Sequence, residues 1–214
     1  MEDGISLEVA VIVAHPDDET LWCGGTLLGN PFWRVSVLSL CRASDPDRAP
    51  KFFEAMNRLG AEGRMGDLDD SSLQPPLDEK TVQETILSLL PYRCYDMIIT
   101  HHPNGEYTRH LRHEEVSRSV INLWYSGEIH TETFRAFAYE DGGKRYLPRA
   151  MESASVYKIL SNQIWKTKYS IITETYGFEA SSFEATTTPK AEAFWQFDNA
   201  NSARKWLINN SVNR

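Results

Sequence analysis

The sequence predicts an α/β fold of the Rossmann-like, doubly wound kind, a mostly parallel sheet flanked by helices and followed by a C-terminal decorating subregion. Three observations predict it. Residues 7–14 form a nearly continuous β-branched apolar run, the pattern of a strand buried on both faces of a parallel sheet. Short apolar strands then alternate with segments of helical period, as βαβ units require. Polar side chains able to do chemistry gather just after those strands, where open parallel sheets bind their ligands.

Taken in order, the first strand ends abruptly at His15-Pro16-Asp17-Asp18-Glu19. Residues 20–28 can start a helix, although Gly24 and Gly25 weaken its first turn. A second strand follows at 34–40. Residues 50–59 set Phe52, Phe53, Met56 and Leu59 at helical spacing, with Gly60 placed as a C-terminal cap. Residues 78–90 repeat that period until Pro91 stops it, and residues 96–100 give another short buried strand. A helix at 114–124 and a strand at 134–139 continue the alternation. Residues 161–195, rich in Thr, Ser and aromatics, read as the decorating subregion of one domain spanning residues 1–214, a length that can bury its own core.

Composition narrows the function. The formal charge is −8 and the Lys and Arg residues are scattered, so the field that would attract a phosphate backbone is missing and nucleic acid is not an expected partner. Cys23, Cys41 and Cys94 are odd in number and far apart, which argues against a disulfide framework and a thiolate zinc site and suits a cytoplasmic location. No apolar run is long enough for a membrane span, and Glu2 and Asp3 do not resemble a basic signal-peptide leader.

Five of the six histidines, His15, His101, His102, His110 and His113, lie just beyond strands or in the loop that follows. The spacing from His15 to Asp18 lets an imidazole and a carboxylate converge on one ion from a single tight turn, and His113 is the natural third ligand. Two histidines and a carboxylate form a donor set typical of catalytic zinc, with the fourth tetrahedral position left for water. Zinc lowers the pKa of such a water from ~15.7 to about 7. Asp17, adjacent to a ligand yet free to point elsewhere, is the candidate base. Plainer readings stand beside these. Paired aspartates commonly cap the next helix, and Arg109, Arg112, Glu114 and Glu115 make His110 and His113 readable as an exposed polar helix start. His101 or His102 reads as a neighbour of the site, and His130 carries no signal.

The stretch Ala14-His15-Pro16-Asp17-Asp18-Glu19 after an apolar strand resembles the signature of the LmbE-like, PIG-L-type de-N-acetylases. His110-Leu111-Arg112-His113 is similar to the second signature of that family, and the preceding Pro103-Asn104-Gly105-Glu106-Tyr107 loop is similar to the family's loop. Weaker likeness lies in Arg48 before Leu59-Gly60 and in residues 189–195. The resemblance implies that His15, Asp18 and His113 ligate zinc, with iron(II) as an alternative, and that Asp17 is the general base. It further implies that His110 faces the substrate, where it polarises the carbonyl or protonates the leaving amine, and that Arg48 orients substrate or supports the oxyanion. Two departures stand out: Lys51 replaces the acid that usually follows the arginine, and Thr108 and Arg109 stand where some members have a single glycine.

The expected reaction is therefore removal of an N-acetyl group from an amino sugar or its conjugate. A hydrolase or hydratase of the same family acting on a non-acetamido substrate is the alternative. A nucleotide-binding module built on Gly24-Gly25 is disfavoured, because Asp17, Asp18 and Glu19 would repel the phosphate. Trp22, Tyr107, Tyr176, Phe178 and Trp195 are available for sugar stacking, and none is singled out. Family members often form homo-oligomers, and no interface pattern is legible here.

Overall fold

The computed structural model describes residues 6–71, 73, 75–107 and 109–212, so Glu2, Asp3 and Thr108 lie outside the described residues. The first half runs β1 (Glu8–Val13), α1 (Asp18–Leu28), β2 (Arg34–Cys41), α2 (Arg48–Leu59), β3 (Glu62–Leu68), α3 (Glu79–Leu89), β4 (Cys94–Thr100) and α4 (Leu111–Ser126). The second half holds β5 (His130–Phe137), β6 (Tyr139–Glu140), β7 (Arg149–Ala150), β8 (Val156–Ile159), α5 (Asn162–Ser170), a π-helical turn (Ile171–Thr175), α6 (Phe183–Thr187), β9 (Ala191–Phe197) and α7 (Ala200–Val212).

The main sheet has the order β3-β2-β1-β4-β5-β9-β8. Strands β1 to β5 pair in parallel, while β9 and β8 add antiparallel strands at one edge. Chain direction across the sheet reverses between β1 and β4, because β1 leads outward to β2 and β3 whereas β4 leads the other way to β5. That reversal opens a crevice at the strands' carboxyl ends.

Strand β1 shows why the sheet is buried on both sides. Val9, Val11 and Val13 join a core with Trp22, Phe52, Met56, Ile171 and Ile172, while Ala10, Ile12 and Ala14 join the opposite core with Ile86, Val120, Ile121 and Leu207. Helices α1 and α2 thus cover one face, and α3, α4 and α7 the other.

Three elements depart from the expected pattern. Helix α4 starts at Leu111 rather than 114, so His113 sits in its first turn and not in a loop. Strand β3 is not foreshadowed by the sequence: it is an edge strand with exposed Glu62 and Asp67 and with glycines at 63 and 66, so it lacks the apolar alternation that marks a strand. The C-terminal subregion does more than decorate. It supplies β8 and β9 to the sheet, and α5 with the π-helical turn lies against α1 and α2. Gly60 does cap α2 as expected, in the left-handed conformation (φ 68°). Among the described residues, no helix is long and apolar enough to cross a membrane, and all three cysteines are free.

Candidate metal centre

The turn after β1 is the geometric origin of the site. Asp17 sits at the N-cap of α1 with φ 111° and ψ −29°, a backbone conformation that L-residues avoid. The turn is held from inside the protein: Asp17 N–H donates to Glu19 Oε2 (3.1 Å), and Glu19 Oε1 accepts from Thr20 Oγ1 (2.6 Å) and Tyr176 Oη (2.7 Å). Glu19 is fully buried, and burial raises its pKa. Tyr176 follows the π-helical turn, a local widening of a helix often found at functional sites.

From this turn three donors converge. His15 Nδ1 lies 3.1 Å from Asp18 Oδ2 and 3.2 Å from His113 Nε2, and His113 Nε2 lies 3.3 Å from Asp18 Oδ2. For zinc at 2.0–2.1 Å from each donor, tetrahedral geometry puts neighbouring donors about 3.3 Å apart. The triangle therefore has the edge lengths such an ion needs, and this His/Asp/His cluster could hold a metal.

The rest of each donor residue is tied down in a way that fits the same role. The outward nitrogen of His15, Nε2, is 3.1 Å from Asp70 Oδ1, and Asp70 is itself bridged to Arg42 (2.6 Å). His113 Nδ1 is 2.6 Å from Glu106 Oε2. In each imidazole the nitrogen bound to a carboxylate carries the proton, which leaves the inward nitrogen a lone pair, the usual arrangement of metal-binding histidines. Trp22 Nε1 donates to Asp18 Oδ1 (3.0 Å), leaving Oδ2 for the cluster.

His101 also approaches Asp18 and His113. Its ring stacks on His113 with centroids 3.9 Å apart. Its Nε2, however, accepts the Ala14 N–H (2.9 Å) and its Nδ1 donates to Glu106 Oε2 (3.0 Å). With both nitrogens engaged, His101 braces the cluster and has no lone pair to give. Glu106, fully buried, thus takes one hydrogen bond from each of two histidines and a third from the His102 N–H (2.9 Å).

The electrostatics follow from burial and pairing. Burial pulls His113 down, but the Asp18 and Glu106 carboxylates outweigh it and lift its pKa to about 10. Burial would raise Asp18, yet His113 and His101 hold it well below the usual range. Asp17 goes the other way. Burial and the neighbouring Asp18 charge push it well up, only partly opposed by Arg48. Two adjacent aspartates are thereby split into a permanently ionised one and a proton-accepting one.

His110 lies at the N-cap of α4, stacked on His113 (4.3 Å) and edge-on to His15 (4.6 Å). Burial and the nearby His113 and His15 charges lower its pKa to about 3, and its buried Nδ1 has no hydrogen-bond partner among the described residues. Arg48 reaches Asp17 Oδ2 (3.3 Å) and stacks over Phe178 (4.5 Å). Lys51, the departure noted above, pairs with Asp47 (2.7 Å) and leaves Arg48 to these other partners. Together these groups line a cleft of about 430 Å³ that also includes Trp22, Asp70, Tyr107, Phe183 and Glu184.

All six residues singled out from the sequence, His15, Asp17, Asp18, Arg48, His110 and His113, meet at this cleft or directly behind it. The exposed-helix-start reading of 109–115 fails, since Arg112 is 1% exposed and bonds Asp69 O (2.6 Å), Pro75 O (2.9 Å) and Glu115 (2.5 Å). Gly25 makes no phosphate cradle either, because its N–H lies inside α1 and donates to Glu192 Oε1 (2.7 Å). His102 turns away to Trp206. Of the proposed stacking aromatics, Trp22 and Tyr176 are buried and bonded, Phe178 lies under Arg48, Trp195 lines a different cavity, and Tyr107 lines the cleft. Sequence reasoning missed Asp70, because it follows β3, a strand without the pattern that would have flagged its carboxyl end. Glu106 was legible only as part of a loop.

An α/β sheet with a His/Asp/His cluster at its topological switch point defines a class of protein built to hold a metal beside a substrate cleft. The sequence profile of the family described as PIG-L, GlcNAc-PI de-N-acetylase, matches residues 10–124, more than half of the chain. The chain belongs to that family. It is 27% identical over 127 residues to the uncharacterized protein L374 of Acanthamoeba polyphaga mimivirus, a match covering 53% of this chain and 56% of that one. The chain thus spans about half the length of the curated relative it matches. Among solved structures, the conserved protein TT1542 of Thermus thermophilus superposes with a TM-score of 0.58 at 18% identity, covering 88% of this chain and 94% of that one. GalB, the 4-carboxy-2-hydroxymuconate hydratase of Pseudomonas putida KT2440, gives 0.58 at 13% identity, with 88% and 95% covered. A deacetylase of the teicoplanin biosynthesis pathway gives 0.54 at 15% identity, with 79% and 83% covered. At these identities the likeness is one of fold.

Proposed function

We propose that the protein is a zinc-dependent amidohydrolase that removes the acetyl group from an N-acetylated amino sugar or its conjugate, with His15, Asp18 and His113 holding the ion. The observation that carries the reading is the donor triangle of ion-sized edges with a second carboxyl group, Asp17, standing beside it and paired to Arg48. The split in pKa between the two aspartates suits an ionised ligand next to a general base. Family membership and the deacetylase among the fold neighbours support it. When bound, the ion supplies Lewis acidity toward a carbonyl and makes water acidic enough to ionise near neutral pH.

The chain's own groups do the rest. Asp17 accepts the proton of the attacking water and, once protonated, carries it toward the departing nitrogen. His110, neutral because of its lowered pKa, offers its ring to the carbonyl oxygen or the leaving amine from the opposite wall. Arg48 balances the negative charge that builds up beside Asp17. The Glu184 carboxylate and the Tyr107 and Phe183 rings give the cleft hydroxyl acceptors and apolar faces, the two kinds of surface a sugar ring presses against.

Zinc-loaded protein incubated with N-acetylglucosamine conjugates should release acetate and a free amine in equal amounts. A second reading, hydration or hydrolysis of a non-acetamido substrate, draws on the GalB likeness. Turnover of an unsaturated carboxylic acid with no acetate from any acetamido sugar would favour it.

A further inference from the structure

Two rings of the cleft wall, Tyr107 and Phe183, also line a second cavity of about 350 Å³. Its remaining wall comes from the loop between β6 and β7 and includes Asp141, Lys144, Arg145, Tyr146 and Leu147. The charge changes sign from one cavity to the next. The first holds Asp17, Asp18, Asp70 and Glu184, with Arg42 and Arg48 both occupied by carboxylates. In the second, Lys144 and Arg145 are exposed, and neither makes an ion pair among the described residues.

The nearby acids are already engaged. Glu140 holds Arg149 (3.1 Å) and the Tyr146 hydroxyl (2.9 Å), and Asp141 Oδ1 accepts the Gly143 N–H (2.9 Å). Arg145 Nε donates to Gly142 O (2.6 Å), which fixes the stem of its guanidinium and leaves the other N–H groups available. Lys144 also adopts a positive φ of 65°. The other non-glycine residues that do so among those described, Asp17, Arg42 and Arg109, all lie in the catalytic cleft or beside His110. Such strain is typical of ligand clamps.

Distances set the scale. The Tyr107 ring centroid is 5.8 Å from His113 on one side and 5.1 Å from Phe183 on the other. An amide at the donor triangle therefore leaves one sugar ring's length before the second cavity begins. We propose that this cavity is the aglycone subsite and that the substrate carries an oxyanion, phosphoryl or carboxylate, next to the amino sugar, where Lys144 and Arg145 bind it. The inference rests on the amidohydrolase reading of the first cleft.

The test uses the zinc-loaded full chain and two matched ligand pairs in titration calorimetry. One pair is 4-carboxyphenyl and 4-nitrophenyl N-acetyl-β-glucosaminide, nearly identical in shape and different in charge. The other is N-acetylglucosamine 1-phosphate and the methyl glycoside. The anionic member of each pair should bind about tenfold tighter. That ratio should fall to about one in a Lys144→Glu/Arg145→Glu double variant whose circular dichroism is unchanged, and should shrink with added salt. A preference for the 1-phosphate alone would assign the subsite to phosphoryl groups, and for the carboxyphenyl ligand alone to carboxylates. Equal binding in both pairs, or a preference that survives the double variant, overturns the proposal. Acetate assayed in the same samples separates the two readings: a charge preference without acetate removes the hydrolase and keeps the subsite, and acetate without a preference does the reverse.

Discussion

Asp17 and Asp18 share a peptide bond and differ in everything their surroundings impose. Asp18 faces two imidazoles and an indole N–H, whereas Asp17 faces Arg48 and the negative field of Asp18. Asp17→Asn should therefore keep the metal and lose about 10²- to 10⁴-fold in turnover, the usual worth of a positioned base. Metal analysis beside rate measurement checks it, and undiminished turnover would remove Asp17 from the reaction. Asp70 acts through His15, whose Nε2 it holds. Asp70→Ala should weaken zinc binding by about 10- to 100-fold, the ordinary effect of losing a ligand's hydrogen-bond partner. A competition titration against a chelator reads that loss directly.

At the scale of elements, α1 joins the two halves of the sequence. In its middle, Glu192 of β9 accepts from Gly25 N–H (2.7 Å), Thr26 N–H (2.6 Å) and Thr26 Oγ1 (2.6 Å), and pairs with the fully buried Lys168 of α5 (2.7 Å). The Tyr139 hydroxyl donates to the Trp22 carbonyl (2.6 Å) on the same helix. Gly25 is obligatory there, because a Cβ would come within 2.4 Å of Leu160. Glu192→Ala would strand a buried ammonium and two amides, and should cost about 3–5 kcal/mol. An unchanged urea midpoint would refute this. The same helix marks the border of what the sequence made legible. β1, its turn and α2 to α4 announce themselves through apolar runs, period and caps. The Glu192 clamp does not, since nothing local to Gly24-Gly25 says that a carboxylate 167 residues away will occupy it. For β3 the reason differs. Gly63 must be small to pass beneath Phe52 and Met56, so packing erased the pattern by which a strand is recognised.

For the molecule as a whole, metal and proton compete for one nitrogen. In the metal-free protein His113 keeps its proton up to about pH 10, against an ordinary value of 6.5. The folded state then binds a proton that the unfolded chain releases near pH 6.5. The stabilising contact with Asp18 and Glu106 is complete below pH 6.5 and is lost as pH rises through about 10. Zinc requires that nitrogen bare, so binding at pH 7 should expel at least one proton, and affinity should climb by up to about tenfold per pH unit below 10. Calorimetry in buffers of different ionisation heat measures the protons released. Zero release would place His113 outside the ligand set.

The backbone at residue 17 has a consequence for how this protein ages and evolves. Its φ of 111° suits a residue with no side chain, and chemistry has put an aspartate there. Asp17→Gly should therefore melt higher than the natural sequence, by about 1–3 kcal/mol of relieved strain, while catalysing nothing. Under selection for durability alone, this loop would drift toward glycine, and only continued demand for the reaction keeps the carboxyl group in place.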